Sequence, residues 1–461
     1  MLFKERRHFG LSRLHGRPIQ FSFSHRATRA ASQQGQIIIL TLVALVLGTG
    51  FLFYSMAEFR SIDYSKDAKT ELAVAQVKEA LIGWSASRTP TASSLTIRPG
   101  ELPCPDMNNN GLDDDGNCSA GAIGRVPWKT LGIPEPLDGY GQTLWYAVAG
   151  PFRLKNMSAA PITSDTLGNL VVYQGSSATT LTNQAIAVLI APGPPVGTQA
   201  RGATMALCST TGTTIQQSNC AANYLEATGG GNNAQTAGPF IQAAQSPTFN
   251  DRVLVITNAD LMPVVEQRVA REMMVLLKAY YDANGVYPWA DLSDGNSNGS
   301  PDGYNRGRVP CGTARPTDWA SGGTPALPDW LTNGCPASGW TRIIYYAVGK
   351  NRLEGGGSGC SSNYSMCSAP SPYWSNNGFA YLCPVASSPF ACSLTNVSSG
   401  NADVILITPG ASDGSSRSWP ASYNPITGDF EDTENSDNDD DQYAIPSSSN
   451  DPNRDRMFNM R

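Results

Sequence analysis

From Ile37 to Met56 the chain reads IIILTLVALVLGTGFLFYSM, twenty positions without a charge. At about 1.5 Å per residue such a helix is roughly 30 Å long, the thickness of a bilayer's hydrocarbon core. The pattern therefore predicts a transmembrane helix over 36–56. After Ala57 the apolar positions thin out without stopping. The run AEFRSIDYSKDAKTELAVAQVKEALIGWSAS holds no proline, and no glycine before Gly83, while Val74, Val77, Leu81 and Trp84 recur at helical spacing. Lys66, Asp67, Lys69, Glu71, Lys78 and Glu79 are mostly placed elsewhere, so one long helix is expected, apolar in its first half and amphipathic in its second. A second amphipathic helix follows far downstream. Asp260 is its expected cap, and Val265, Val269, Leu276 and Tyr280 form its stripe. Glu266, Arg268, Arg271 and Glu272 keep that helix out of any membrane.

Comparison of the chain with itself shows a duplication. Gly124-Arg125-Val126-Pro127 returns as Gly307-Arg308-Val309-Pro310, and LWYAV (144–148) returns as IYYAV (344–348). AVLIAPG (187–193) returns as VILITPG (404–410), and YLEAT (224–228) as DFEDT (429–433). Asp251-Arg252-Val253 returns as Asp455-Arg456-Met457. The order is the same throughout, which chance does not produce. The expected architecture is α+β: a basic leader (1–35), the transmembrane helix (36–56), then two tandem modules, 57–258 and 259–461. Each module would hold a helix, a polar loop and a small antiparallel β-sheet; copies of roughly 200 residues are domains rather than solenoid repeats.

Charge changes the picture at the front. The first 35 residues carry Lys4, Arg6, Arg7, Arg13, Arg17, Arg26 and Arg29 against Glu5 alone. Such a bias holds the N-terminus in the cytoplasm and sends the chain after Met56 across the membrane. An ordinary secretory signal is the other reading of a basic leader and apolar run, with Ser55-Met56-Ala57 as a weak cleavage site. The remainder holds 25 Lys/Arg against 37 Asp/Glu, net −12, which excludes a nucleic-acid binder built on clustered cations.

All ten cysteines follow the apolar run, with no CxxC, and the three histidines (His8, His15, His25) lie in the leader. This usage points to disulfides rather than zinc or a redox dithiol. Neighbours in sequence give the pairs Cys104–Cys118, Cys208–Cys220, Cys311–Cys335, Cys360–Cys367 and Cys383–Cys392, although spacing alone does not fix connectivity.

Two loops have the oxygen spacing of a calcium site. With Asp106 at position one, Asn108, Asn110, Leu112 (through its carbonyl), Asp114 and Asn117 fall at three, five, seven, nine and twelve, with Gly111 at the turn. Asp294, Asn296, Asn298, Ser300, Asp302 and Asn305 repeat the set around Gly299. Alternate residues of such a loop point inward, and a hard cation takes six to eight oxygens. An Asn/Asp/Gly turn that binds nothing is the plain alternative. One Ca2+ per module is the expectation. The acidic stretch Asp429 to Tyr443 has no such phasing and reads as a solvated loop.

No catalytic set emerges. Gly410-Ala411-Ser412-Asp413-Gly414 fits G-x-S-x-G after a strand-like run, but a nucleophile elbow needs a following helix and a histidine base, and no histidine follows the leader. The equivalent stretch in the first copy has no serine. The chain reads as a non-enzyme.

The basic leader, the junction Gln33-Gln34-Gly35-Gln36, the apolar helix that becomes amphipathic, and the turn after KAYYDANGVYPW together resemble the type IV pilin and type II secretion pseudopilin family. The resemblance covers Gly35 to Ser85 most closely. It implies that a prepilin peptidase cuts after Gly35, leaving Gln36 as the mature N-terminus, and that the apolar helix packs with those of other pilin or pseudopilin subunits in a filament. Major pilins usually carry Glu at the fifth mature position; here Leu40 stands there, as in some minor and tip members. Pseudopilins also carry calcium after the helix. The implied placement is the bacterial inner membrane, single-pass with periplasmic modules, or an extracellular filament. A permanently anchored surface-binding module or adhesin that does not polymerise is the rival reading.

Overall fold

The computed structural model describes residues 31–88, 98–114, 118–153, 161–175, 177–197, 199, 201, 210–211, 214–215, 220–290, 306–310, 327–328, 339–349, 352–354, 381–384, 403–408, 410, 442–445 and 456–460. The fold is mixed α/β with several small sheets. Contacts divide the chain into two compact units, Met1–Tyr64 and Ser65–Arg461.

Helix α1 (Ala31–Ser87) is continuous. In the first unit its described side chains, Ile39 to Gly50 and Tyr64, are all exposed. Within this stretch the Thr49 hydroxyl donates back to the Leu45 and Val46 carbonyls (2.9 and 3.0 Å). Among the described residues no helix is long and apolar enough to cross a membrane. The expected transmembrane helix over 36–56 is not found, and the single-pass inner-membrane placement that depended on it falls with it.

The second unit begins with the amphipathic half of α1, whose Val74, Val77, Leu81 and Ile82 are buried. Strand β1 (Ile123–Arg125) follows, then helix α2 (Trp128–Leu131) and strand β2 (Trp145–Val148). Next come β3 (Leu170–Gln174), β4 (Thr179–Ala185) and β5 (Ala187–Ala191). Two short hairpins follow, β6 (Thr210–Thr211) with β7 (Thr214–Ile215) and β8 (Ala227–Thr228) with β9 (Gly231–Asn232). Strands β10 (Phe240–Gln242) and β11 (Arg252–Ile256) complete this half. Helix α3 (Asn258–Asn284) opens the second half, followed by β12 (Arg306–Arg308), β13 (Tyr345–Val348), β14 (Tyr381–Pro384), β15 (Val404–Thr408), β16 (Gln442–Ile445) and β17 (Arg456–Met460).

Two four-stranded antiparallel sheets have the same order, β1-β2-β5-β11 and β12-β13-β15-β17. Their registers correspond residue for residue. Gly124 faces Tyr146 and Gly307 faces Tyr346; Val148 faces Ala187 and Val348 faces Val404; Ala187 faces Ile256 and Val404 faces Met460. The loops match as well. Ala149 N–H donates to Ile186 O at 2.8 Å and Gly349 N–H to Asp403 O at 3.0 Å, while Leu102 N–H donates to Phe152 O and Tyr287 N–H to Arg352 O. The phenols of Tyr146 and Tyr346 donate to the carbonyls of Pro103 and Pro288 (3.1 and 2.8 Å). Each proline stands three residues after a glycine at positive φ, Gly100 (96°) and Gly285 (74°), a conformation that costs glycine nothing. Thus Gly100-Glu101-Leu102-Pro103 and Gly285-Val286-Tyr287-Pro288 are a further repeated segment, too diverged to stand out in sequence.

The expected small antiparallel sheet per module is corrected in a second respect. Each half carries an additional sheet with a parallel pair, β3 with β10 and β14 with β16. The end of the acidic 429–443 stretch enters β16 rather than staying a loop, because Tyr443-Ala444-Ile445 pair with Leu382-Cys383-Pro384. Helix α3 is capped by Thr257, with Asp260 at the third position closing a capping box, so Asp260 is not itself the cap. Leu277, not Leu276, fills the buried place in its stripe. One continuous core joins both halves, from Val77 and Leu81 through Trp145 and Leu189 to Leu277, Tyr346 and Leu406. Each such aliphatic side chain stabilises by about 1.5–3 kcal/mol relative to exposure.

Candidate functional site

The loop after α1 is held at both ends. Cys104 and Cys118 are disulfide-bonded across it, and Asp106 exchanges backbone hydrogen bonds with Arg125 at the end of β1 (2.9 Å each way). Within the loop the buried Asp106 carboxylate accepts from the N–H groups of Asn108 (3.2 Å), Asn110 (3.1 Å) and Gly111 (2.6 Å). Asn108 Oδ1 accepts from Asn110 N–H, and Asn110 Oδ1 from Leu112 N–H (3.1 and 2.7 Å). The Asn108 amide donates to Asp114 Oδ1 at 3.0 Å. Positions one, three, five and nine of the expected calcium loop are thereby drawn around one turn, with Gly111 at φ 83°. Burial foremost pushes the Asp106 carboxyl up, against the pull of the N–H donors.

Asp106, Asn108, Asn110, Leu112 and Asp114 are therefore brought together, whereas Asn117 and the whole second set (Asp294, Asn296, Asn298, Ser300, Asp302, Asn305) lie outside the described residues. Among the described residues no three His, Cys, Asp or Glu side chains are grouped to hold a metal ion. The loop offers two carboxylates there, and its remaining donors are amide and main-chain oxygens. That mixture still fits calcium, a hard cation that accepts neutral oxygens. Gly35 and Gln36 fall within helix α1. Cys220 is disulfide-bonded and Cys383 lies in β14; Cys208, Cys311, Cys335, Cys360, Cys367, Cys392 and Ser412 lie outside the described residues.

A scan against protein-family models and searches of curated proteins and of solved structures each returned no match. The chain has to be read from its own geometry.

Two further groupings escaped the sequence reading. Glu226 and Asp251 form a buried carboxyl pair. Glu226 accepts from the N–H groups of Asn250 (2.9 Å) and Asp251 (3.0 Å), from the Gln199 amide (2.5 Å), and stands 3.7 Å from Arg201. Asp251 Oδ2 accepts in return from Glu226 N–H (2.8 Å) and the Asn233 amide (3.0 Å). Burial, and then the Glu226 charge, push the Asp251 carboxyl well above the ordinary range, so the pair favours a single negative charge opposite Arg201. With Glu226 Oε2 and Asp251 Oδ2 bound by main-chain N–H groups, it acts as a clamp between the YLEAT segment and β11. Both acids lie in repeated motifs, YLEAT and Asp-Arg-Val, and that repetition was the available signal.

The other grouping is Arg125 of the GRVP motif. Its guanidinium lies 4.0 Å from the Trp145 ring centroid and 4.3 Å from that of Tyr224, and donates to Thr143 O at 2.8 Å. Burial lowers it to about 10, still a cation at neutral pH, held by the ring faces. Arg308, its counterpart, is buried as well.

The stem half of α1 is a third kind of site. Ile39, Leu40, Leu42, Val43, Leu45, Val46 and Leu47 are each 50–68% exposed. At 100° per residue they look outward on most sides of the helix.

Proposed function

We propose that the chain is a non-enzymatic, pilin-like or pseudopilin-like filament subunit, which assembles by packing the stem of α1 against the stems of other subunits. One observation carries this reading: seven large apolar side chains on nine consecutive positions, exposed nearly all round. A helix apolar on every side needs a cover, and equivalent helices of other copies supply one that is apolar over the same length. The junction Gly35–Gln36 at the head of that helix is the maturation point in this reading, with a prepilin peptidase as the processing partner. The bulk of the second unit with its two four-stranded sheets, together with Leu40 at the fifth mature position, suits a minor or tip position. Calcium held by Asp106, Asn108, Asn110, the Leu112 carbonyl and Asp114 stiffens the loop between α1 and β1.

The test is assembly of the full chain with Leu45→Asp in the stem. The parent is expected to sediment as filaments or large oligomers, and the variant as a monomer with an unchanged melting temperature. A variant that assembles as the parent does overturns the proposal. Mass analysis of the natural N-terminus adds a second reading: a start at Gln36 supports it, and an intact leader counts against pilin-type maturation.

A further inference from the structure

The two halves of the second unit are related by a displacement along a helix axis. The helices can be superposed in sequence by their burial pattern, and the ion pairs fall on the same helix face. In both halves the arginine that opens the last strand pairs with an acid of the preceding helix: Arg252 with Asp67 (2.6 Å) and Glu71 (3.2 Å), and Arg456 with Glu266. Burial fixes the phase, since buried positions 70, 73, 74, 77 and 81 of α1 match 266, 269, 270, 273 and 277 of α3. On this correspondence Asp260 stands where Tyr64 stands, and Arg268 where Leu72 stands.

The helices touch at two places. Lys78 pairs with Asp260 at 2.6 Å, and Arg268 donates to Arg88 O at 3.1 Å. Residues 78 and 88 of α1 thus meet 260 and 268 of α3, so the helices run parallel. Referred to equivalent positions, they are staggered by about 14–16 residues, roughly 20–25 Å. A two-fold axis does not produce parallel helices with an axial stagger. The relation is heterologous, of the kind that stays open and continues when repeated.

One copy therefore has a used face that the other has bare. On α3, Arg268 and Glu272 are half-buried; the equivalent Leu72 and Gln76 of α1 are exposed, Leu72 at 59%. At the other end, Lys78 of α1 is engaged, and its equivalent on α3, Met274, stands beside Val275, which is 65% exposed. The chemistry at the two open faces agrees. Where the internal contact is an ion pair, Lys78 with Asp260, the equivalents are Met274, half-buried with its outer side beside the exposed Val275, and the 76% exposed Tyr64. An apolar pair in place of a charged one also keeps the internal and external contacts from exchanging partners.

We propose that the internal contact is the template for the contact between molecules: in α1 of one molecule Tyr64 seats at Met274, and Leu72 at Asn284, of α3 in the next. This deepens the filament reading and rests on it, because repeated stacking in one direction makes a line of molecules. Each molecule then advances the line by two equivalent steps, one covalent and one not.

The experiment uses the full chain carrying a photo-reactive benzoylphenylalanine at Leu72 or, separately, at Leu45 in the stem, each mixed with unlabelled, tagged full chain. The expected result is an adduct from position 72 to the tagged chain's peptide containing Asn284, and loss of the adduct from a Val275 probe to its partner's peptide containing Tyr64 when that partner carries Leu72→Asp. Stem adducts from position 45 with none from position 72 to α3 overturn this interface and leave the filament reading standing. Adducts from neither position overturn both, and an adduct from position 72 within its own chain overturns the interface.

Discussion

The corresponding tyrosines Tyr146 and Tyr346 allow the duplication to be weighed in energy. Each ring is fully buried, and each phenol donates to the carbonyl of the proline after the helix, Pro103 or Pro288. Tyr→Phe at either position keeps the ring and its packing, so the cavity term is confined to one oxygen. What remains is a buried carbonyl without its donor, which costs about 1–3 kcal/mol. The two changes sit in different halves with different acceptors, so the double variant is expected to lose the sum within about 0.5 kcal/mol. The measurement is equilibrium urea unfolding of the full chain, comparing midpoints at unchanged slope. Burial pushes both phenols well above their ordinary range, so both stay protonated donors throughout any practical pH. A loss above about 1 kcal/mol for Tyr146→Phe beside none for Tyr346→Phe would refute the equivalence of the two hydrogen bonds.

Two other expectations concern charge. Asp251 has a folded carboxyl raised above its unfolded value of about 3.9, so the fold binds a proton that the unfolded chain has released. Stability is then highest below the unfolded value and declines as pH rises through the window up to the folded one. Asp251→Asn keeps an acceptor for Glu226 N–H, supplies a neutral donor toward Glu226, and is expected to flatten that decline; an unfolding midpoint with an unchanged pH slope discards the argument. For the loop after α1, adding a chelator is expected to lower the melting temperature of the parent chain and to leave Asp106→Ala unmoved. An equal response of the two, or none in the parent, removes calcium from the Asp106 loop.

Short-range periodicity made the helix faces and the central strands legible. Val77 and Leu81 recur at helical spacing and are buried, and the apolar runs at 145–148, 187–191, 345–348 and 404–408 are strands buried along their length. The second sheets were not legible, because Leu170–Gln174 pairs in parallel with Phe240–Gln242 across a long stretch of chain, and no local pattern encodes that partner. The charge-free run misled in a different way. It reads as a membrane span by length and lack of charge, yet among the described residues no helix is long and apolar enough to cross a membrane. The Glu226–Asp251 clamp escaped because acids in polar segments read as solvated until burial and main-chain donors are seen around them.

The asymmetry between the copies carries the functional argument furthest. Helix α3 begins at Asn258, directly after β11, and Thr257 with Asp260 caps it there; α1 instead continues upstream of the equivalent position through Tyr64 into the exposed apolar stem. A cap and a stem exclude each other, since a capped N-terminus has satisfied the N–H groups that a longer helix would bond internally. Asp260 serves both ends of this arrangement. Burial acts to raise its carboxyl, but the hydrogen bonds from Lys78 and Thr257 outweigh burial and hold it below the ordinary range. The same carboxylate thus ends the second helix and joins it to the first. Had the second copy kept a stem, that residue would lie inside a helix, the Thr257 cap would be lost, and the ion pair to Lys78 would be the only role left to it. The cap of α3 and the contact between the copies thus use one carboxylate, and a helix continued upstream of Asn258 would remove the first of the two.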